Sequence, residues 1–310
     1  MEAAVEWLLA SDEPGIRLAA KRDLLGKARP REVSQVLEGG KVRSLLAGQQ
    51  EDGGFGVHPY GKWRGAHWRL VSLVELGVPA GEPRCVAAAG TVLGWLTGPG
   101  HRRGIRAVNG LVRRCASQEG NALAVCCRLG LADDRRVRLL AESLLEWQWP
   151  DGGWNCDLRA SGRRSSFHES LPPMWGLYEV WRATGDEDAR RAANRTAELF
   201  LEHRLFRSLA SGEAMNPSFT VLHYPPYWHY DVSAGARGAR SDGPSGRSAS
   251  SGGGRAAGAE AASHRTLALG RTLVEAAGLH RQQRRGGRLG PHGPQRDDHV
   301  ERAARPQDRA

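Results

Sequence analysis

The pattern of apolar and polar positions predicts a chain built almost entirely from amphipathic helices. Apolar residues recur at i, i+3, i+4 and i+7 across residues 137–147, which is the spacing of one buried helix face. Similar stretches predict further helices over residues 67–76, 121–129, 169–183 and 189–203. The alternation typical of a half-buried strand is almost absent. The sequence therefore predicts an all-α fold.

Two segments of the chain repeat each other. Residues 44–56 and 143–155 align without a gap at a separation of 99 residues, and a degenerate unit at 92–98 falls between them. Each copy is an apolar helix followed by Asp-Gly-Gly and an aromatic residue, and glycine readily adopts the positive φ that ends a helix or forms a turn. Helix pairs that bury their faces only against neighbouring pairs form a solenoid or a closed toroid.

The shared pattern, Leu-Leu-x-x-Gln-x-x-Asp-Gly-Gly-Phe/Trp, resembles the QW-type repeat of squalene and terpene cyclases, which recurs in protein prenyltransferase β subunits. The resemblance covers about residues 35–230 and implies an α/α toroid, a barrel of helical hairpins. In that family the glutamine amide caps a helix end and the aromatic ring stacks on it. The resemblance therefore gives Gln49 with Phe55, and Gln148 with Trp154, structural roles that tie outer helices together without touching substrate.

Composition changes sharply after Tyr230. All ten Trp and all five Tyr, Phe and Cys residues lie at or before this position, whereas residues 231–310 hold fourteen Arg against eight acidic residues. Low aromatic content with abundant Gly, Ser and Arg is typical of disorder. We therefore predict a toroid over residues 1–230 and a disordered, low-complexity tail over 231–310, with a short helix around 256–277. No base-reading motif accompanies the basic tail, so no specific nucleic acid partner is expected.

The tail also has the composition of a shifted reading frame. It lacks Phe, Tyr, Trp, Cys, Ile, Met, Lys and Asn, whose codons all begin with T or A. In a GC-rich gene, a slip that moves the third codon base to the first position removes these residues. A natural disordered tail is the alternative explanation. A frame slip after Tyr230 would remove the last repeat unit and leave the toroid incomplete.

The acid motif of the cyclases is missing. That family protonates its substrate with Asp-x-Asp-Asp, but the segment ending at Asp133-Asp134 fails at the first position, and Asp186-Glu187-Asp188 reads as a helix N-cap. The prenyltransferase branch uses zinc held by Asp, Cys and His. This part of the resemblance suggests a possible zinc site from Cys156, Asp157 and His223.

Other polar and aromatic residues cluster just after the turns, where the loops of such a barrel face its cavity. Arginine pairs beside a helix start suit phosphate or carboxylate, and the aromatic run 224–230 could line an apolar cavity or pack in the core. The predicted substrate-binding residues are His58, Tyr60, Trp63, His67, Arg113, Arg114, Arg163, Arg164, Tyr227 and Trp228. The predicted catalytic residues, as general acids, bases or metal ligands, are His168, Glu169, His229 and Asp231.

These features favour a protein that acts on an isoprenoid or similar apolar small molecule in a central cavity. Two other functions stay open: a non-catalytic helical-repeat module that binds a ligand or peptide, and a carbohydrate-active α/α barrel. No apolar stretch is long enough to span a membrane, and the acidic start of the chain does not resemble a signal peptide. We therefore expect a cytoplasmic protein.

Overall fold

The computed structural model describes residues 2–239, and this part of the chain is mostly helical. Short 3₁₀ turns occur at Val36–Glu38 and Pro217–Thr220. The helices and strands are α1 (Glu2–Leu9), α2 (Pro14–Asp23), α3 (Pro30–Gln35), α4 (Gly40–Leu46), α5 (Ala66–Glu75), α6 (Pro83–Thr97), α7 (Pro99–Arg102), β1 (Arg106–Val108), β2 (Leu111–Arg113), α8 (Ser117–Arg128), α9 (Arg135–Trp147), α10 (Phe167–Thr184), α11 (Glu187–Glu202) and α12 (Val232–Ala239).

The longer helices alternate between two series that pack side by side. Helices α5, α8, α10 and α12 form the first series, in which each helix contacts the next. Helices α6, α9 and α11 form the second series and also contact one another in order. Contacts between α5 and α6, α8 and α9, and α10 and α11 join the two series. The described residues therefore confirm a mostly helical fold in which neighbouring helices pack in order along the chain.

The predicted helices are present, and the cap predicted at Asp186 is confirmed. Its carboxylate accepts hydrogen bonds from the backbone N–H groups of Asp188 and Ala189 at the start of α11, which satisfies donors that a helix start leaves open. Asp134 caps α9 in the same way by accepting from Arg136 N at 2.7 Å. Asp134 and Asp186, from the two acidic segments that do not match the cyclase motif, thus each cap the start of a helix.

The two repeat copies make the same contacts to a later helix. Gln148 Nε2 donates to Gly152 O at 2.9 Å and to Ala192 O in α11 at 2.8 Å. Gln49 Nε2 donates equivalently to Gly53 O at 3.0 Å and to Arg84 O in α6 at 2.8 Å. Each glutamine thus ties the turn after one helix to the body of another.

The first glycine of each Asp-Gly-Gly turn is required by its conformation and by space. Gly53 and Gly152 have φ values of 84° and 94°, which side chains disfavour. A Cβ atom at Gly53 would lie 2.5 Å from Ala87 O, and one at Gly152 would lie 2.6 Å from Arg195 O. Each turn therefore lies against the backbone of a later helix, α6 for Gly53 and α11 for Gly152, with no space for a side chain.

The aromatic residues of the two repeat copies differ in burial. Trp154 is buried and its Nε1 donates to Leu144 O at 3.1 Å. The Phe55 ring is only partly buried, and the guanidinium carbon of Arg69 lies 4.2 Å from the centroid of this ring. The second copy is therefore the better buried of the two.

Two glycines allow α8 and α10 to pack closely. A Cβ atom at Gly120 would lie 2.2 Å from Pro173 N, and one at Gly176 would lie 2.6 Å from Gly120 O. Both distances are far below van der Waals contact, so neither position accepts a side chain without a movement of the backbone. This close approach sets the positions of the starts of α8 and α10.

One β-hairpin was not predicted. Strands β1 and β2 pair antiparallel around Asn109-Gly110, and both turn residues have positive φ. Asn-Gly is the usual sequence of a two-residue hairpin turn, so the signal was present in the sequence. The strands have three residues each, too few for alternation to be visible.

The packed part of the chain continues beyond Tyr230. Asp231 caps α12 by accepting from Ser233 N and Ala234 N at 2.9 Å, and Val232 and Ala236 are buried where α12 meets α10 and α11. Residues 231–237, which composition assigned to the tail, therefore pack with the body. The predicted tail beyond Ala239 and its helix at 256–277 lie outside the described residues. No helix within residues 2–239 has the length and apolar character needed to cross a membrane.

Candidate functional site

A short backbone pairing brings two distant cysteines together. Arg113 and Asn155 form a parallel bridge, and Arg114 N donates to Asn155 O at 3.1 Å. Cys115 and Cys156 follow directly on the two paired segments, and their sulfur atoms lie within 4.8 Å of each other. The hairpin and the loop after the second repeat thus build this contact from residues 41 positions apart.

Glu169 completes the cluster from the first turn of α10. Its Oε2 accepts from Ser117 N at the start of α8 at 3.0 Å, and its Oε1 lies 3.7 Å from Cys156 Sγ. Ligand atoms of Cys115, Cys156 and Glu169 all lie within 4.8 Å of one another. We call these three residues the thiol triad.

The triad is poor in positive charge. Burial raises the pKa of Glu169, although the Ser117 N–H acts in the opposite direction. The neighbouring Cys156 thiol, burial and the Glu169 carboxylate together raise the pKa of Cys115. Without a cation, these groups therefore favour their neutral forms.

An ionic network lies next to the triad at the start of α8. Glu119 Oε1 accepts from His101 at 2.8 Å and from Arg114 Nε at 3.0 Å, and Arg114 also donates to Gln118 Oε1 at 3.1 Å. Burial alone would raise the pKa of Glu119, but Arg114 and His101 outweigh it and the pKa is lowered. Within residues 2–239, Glu119 Oε2 is buried and receives no hydrogen bond.

Aromatic side chains cover one side of this network. The ring centroids of Tyr60 and Trp95 lie 5.4 Å apart, and those of Trp95 and His101 lie 4.8 Å apart. Contacts at 4.7–6.0 Å join these rings to their neighbours. We call the set the aromatic wall: Tyr60, Trp63, His67, Trp68, Trp95 and Tyr227.

His67 is the polar member of the wall. It is 2% exposed, and burial lowers its pKa to about 3, so the ring is neutral. Neither of its ring nitrogens is hydrogen-bonded by any described residue. The space beside this ring, lined by Leu70, Val92 and Val125, does not admit a water molecule, so the two nitrogens are buried polar atoms within an apolar surrounding.

The C-terminal aromatic run reaches the same wall. Tyr227 OH is hydrogen-bonded to Ser72 Oγ at 2.9 Å, and Asn121 Nδ2 donates to Tyr227 O at 2.9 Å. Lys62 lies over the Trp228 ring at 5.2 Å. Tyr230, by contrast, is fully buried in the core, so the run 224–230 contributes both to the wall and to packing.

The predicted substrate-binding arginines are placed differently from one another. Arg114 belongs to the ionic network, whereas Arg113 is buried in the scaffold, with its guanidinium 4.4 Å from the Trp149 ring and donating to Gly162 O at 2.8 Å. Arg163 and Arg164 are exposed. Among the other predicted substrate-binding residues, His58 is exposed and is not part of the aromatic wall. Its ring centroid lies 5.2 Å from that of Trp95.

The four predicted catalytic residues do not meet at one point. Glu169 faces the start of α8, but His168 Nδ1 accepts from Tyr230 N at 2.8 Å, on the side of the C-terminal run. His229 stacks on Trp228 with a centroid distance of 3.9 Å. Asp231 is 1% exposed and is occupied as the cap of α12. Only Glu169 therefore lies at the triad.

The three predicted metal ligands are also separated. The Asp157 carboxylate is bound by Arg159, which lowers its pKa to about 2. His223 N donates to Asp231 Oδ2 at 2.9 Å, and its ring stacks on His229 at 4.6 Å. Within residues 2–239, the triad is the only group of three His, Cys, Asp or Glu residues with mutually close ligand atoms. Of the predicted set, Cys156 alone is in it.

Cys115 and His101 were not among the residues predicted at this site. The polar segment 117–121, which precedes the helix predicted at 121–129, lies within α8, and all its residues are buried. No family model matches the chain, and no curated protein and no solved structure matches it either.

Proposed function

We propose that the chain is an α/α-toroid protein of the terpenoid cyclase and prenyltransferase type, and that it acts on an isoprenoid or similar apolar small molecule. The observation that carries this proposal is the aromatic wall beside buried polar atoms that no described residue satisfies. Both nitrogens of His67 and Glu119 Oε2 are of this kind. A mostly apolar surface with a few convergent polar groups is the usual lining of a small-molecule site.

The packing of the two helix series supports the toroid. Each turn glutamine joins the turn to a later helix of the second series, in both copies, as a repeated unit requires. The starts of α8 and α10 lie together at the ionic network and the triad. Such a convergence of first-series helix starts suits a ligand site inside a helical barrel.

The wall favours an apolar ligand over a sugar. Trp68 and His67 are almost fully buried, whereas sugar-binding aromatic residues need an open cleft with paired carboxylates. Glu119 is already held by Arg114 and His101. The wall offers ring faces and edges, which bind hydrocarbon and cationic groups.

The test uses the full chain, titrated with farnesyl diphosphate and with squalene while tryptophan fluorescence and product formation are measured. Trp63 is 46% exposed in the wall, so Trp63→Ala removes ligand contact with little loss of core. We expect it to weaken isoprenoid binding about 5-fold, which corresponds to about 1 kcal/mol for one aromatic contact.

Trp7→Ala is the matched control, because Trp7 is 75% exposed on α1 and contributes nothing to the wall. Turnover of an isoprenoid that depends on Trp63 supports an enzyme. Binding without turnover supports the non-catalytic binding module instead. The proposal is refuted if the folded chain shows neither binding nor turnover at high concentrations of both isoprenoids.

A further inference from the structure

We propose that the thiol triad binds a zinc ion through two thiolates and one carboxylate. Cys115, Cys156 and Glu169 come from three separate segments of the chain, and each presents one ligand atom within 4.8 Å of the others. Thiolate sulfur with one carboxylate oxygen suits zinc, whereas magnesium and calcium prefer oxygen alone. This site stands on its own geometry and does not depend on the proposed isoprenoid function.

The spacing of the ligand atoms fits a tetrahedral ion after a small contraction. Zinc–sulfur bonds of about 2.3 Å place two sulfur ligands about 3.8 Å apart in a tetrahedron. Cys156 Sγ and Glu169 Oε1 are already 3.7 Å apart. The widest separation in the triad is at most 4.8 Å, so the remaining closure is about 1 Å, within reach of a cysteine rotation.

The backbone holds all three ligands in place. The bridge between Arg113 and Asn155 fixes the two cysteine segments side by side. Ser117 N donates to Glu169 Oε2 and leaves Oε1 facing Cys156. Hydrogen bonds of this kind orient metal ligands and are characteristic of preorganised metal sites.

The ion would supply positive charge directly at the three ligand atoms. Arg114, the guanidinium next to Cys115 in sequence, donates to Glu119 and Gln118. Three protein ligands leave one position for water or a substrate atom, which is the arrangement of reactive rather than purely structural zinc sites. The chemical class of ligand for that position is a soft or anionic donor such as a thiolate, hydroxide or phosphate oxygen.

The first experiment measures metal uptake by the full chain after reduction and chelation. We expect one zinc per chain by elemental analysis, and a thiolate-to-metal charge-transfer absorption when Co²⁺ replaces zinc. Cys115→Ser and Cys156→Ser should each weaken zinc binding more than about 100-fold, since even residues that only orient ligands cost about 10–100-fold. Cys127→Ser is the matched control, because Cys127 is buried on α8 outside the triad.

A second experiment needs no variant and so avoids any loss of folding. Cys115 and Cys156 are partly exposed, whereas Cys85, Cys126 and Cys127 are buried. In the native chain, zinc should therefore protect the first two from alkylation, and a chelator should restore their reaction, as read by peptide mass spectrometry. The proposal is overturned by a reduced, folded chain that takes up no zinc, by equal uptake in the Cys127 and triad variants, or by a Cys115–Cys156 disulfide as the only product of the pair.

Discussion

The close packing of α8 against α10 makes Gly120 the most informative position for a stability test. In Gly120→Ala, the new methyl group would lie 2.2 Å from Pro173 N and 2.4 Å from Pro172 C. These are backbone atoms of a helix and cannot rotate away. The two helices must therefore separate by about 1.2 Å to reach the 3.4 Å at which ordinary contact begins.

The expected loss follows from two opposing effects. Overpacking of this kind costs about 1–3 kcal/mol, and we expect the upper end because the obstructing atoms are backbone. Alanine recovers about 1 kcal/mol over glycine inside a helix. The net expectation is a loss of about 2 kcal/mol in the free energy of unfolding.

Urea denaturation followed by far-ultraviolet circular dichroism measures this loss. At an m-value of about 2 kcal/mol/M, the midpoint should fall by about 1 M. Gly94→Ala is the matched control: Gly94 is exposed in the last turn of α6, with nothing within 4 Å of a Cβ atom, so this variant should gain about 0.5–1 kcal/mol. If both variants shift the midpoint upwards by the same amount, the close approach of α8 and α10 is not as described.

Three further changes test the repeat contacts, the aromatic wall and the end of the packed chain. Gln148→Ala should lower the free energy of unfolding by about 2 kcal/mol in urea titrations, because two amide hydrogen bonds are lost. Gln49→Ala should cost less because its second bond is exposed, and equal losses would contradict the difference in burial. His67 has a folded pKa of about 3 against an ordinary 6.5, so the unfolded chain binds more protons in that window and stability falls as pH drops through it. His67→Phe should remove this slope in denaturation at stepped pH, and an unchanged slope would exclude His67 as its source. Truncation after Tyr230 should give a lower urea midpoint than truncation after Ala239, because it removes the buried residues of α12; identical midpoints would show that α12 contributes nothing.

The helical part of the fold could be predicted because its signal is local. The apolar spacing over residues 137–147 and the Asp-Gly-Gly turns reflect the burial of one helix face and the need for positive φ, and both are visible in a single segment. The equivalence of Gln49 and Gln148 followed from their register in the repeat. The boundary at Tyr230 was harder to place, because α12 is built from small residues such as Ala234 and Ala236, whose composition resembles that of the tail.

The candidate site was only partly predictable, because its residues come together through contacts that no periodic pattern records. Cys156 and Glu169 were among the predicted site residues and lie together in the structure, but their neighbour Cys115 arrives through the hairpin around Asn109. Glu119 lies on a polar stretch that reads as solvent-exposed, yet it is 1% exposed. The polarity of this stretch reflects an ionic network inside the protein.

The same arrangement explains why scaffold and site cannot be separated in this chain. A helix start leaves backbone N–H groups without partners, and the start of α8 is buried against α10, where water cannot supply the missing acceptor. Glu169 supplies it by accepting from Ser117 N, and this interaction places its second oxygen beside Cys156. Gly120 sets the distance over which Glu169 must reach, since it fixes the approach of the two helices. A carboxylate needed to complete the packing of α8 is thus held where it can also bind an ion.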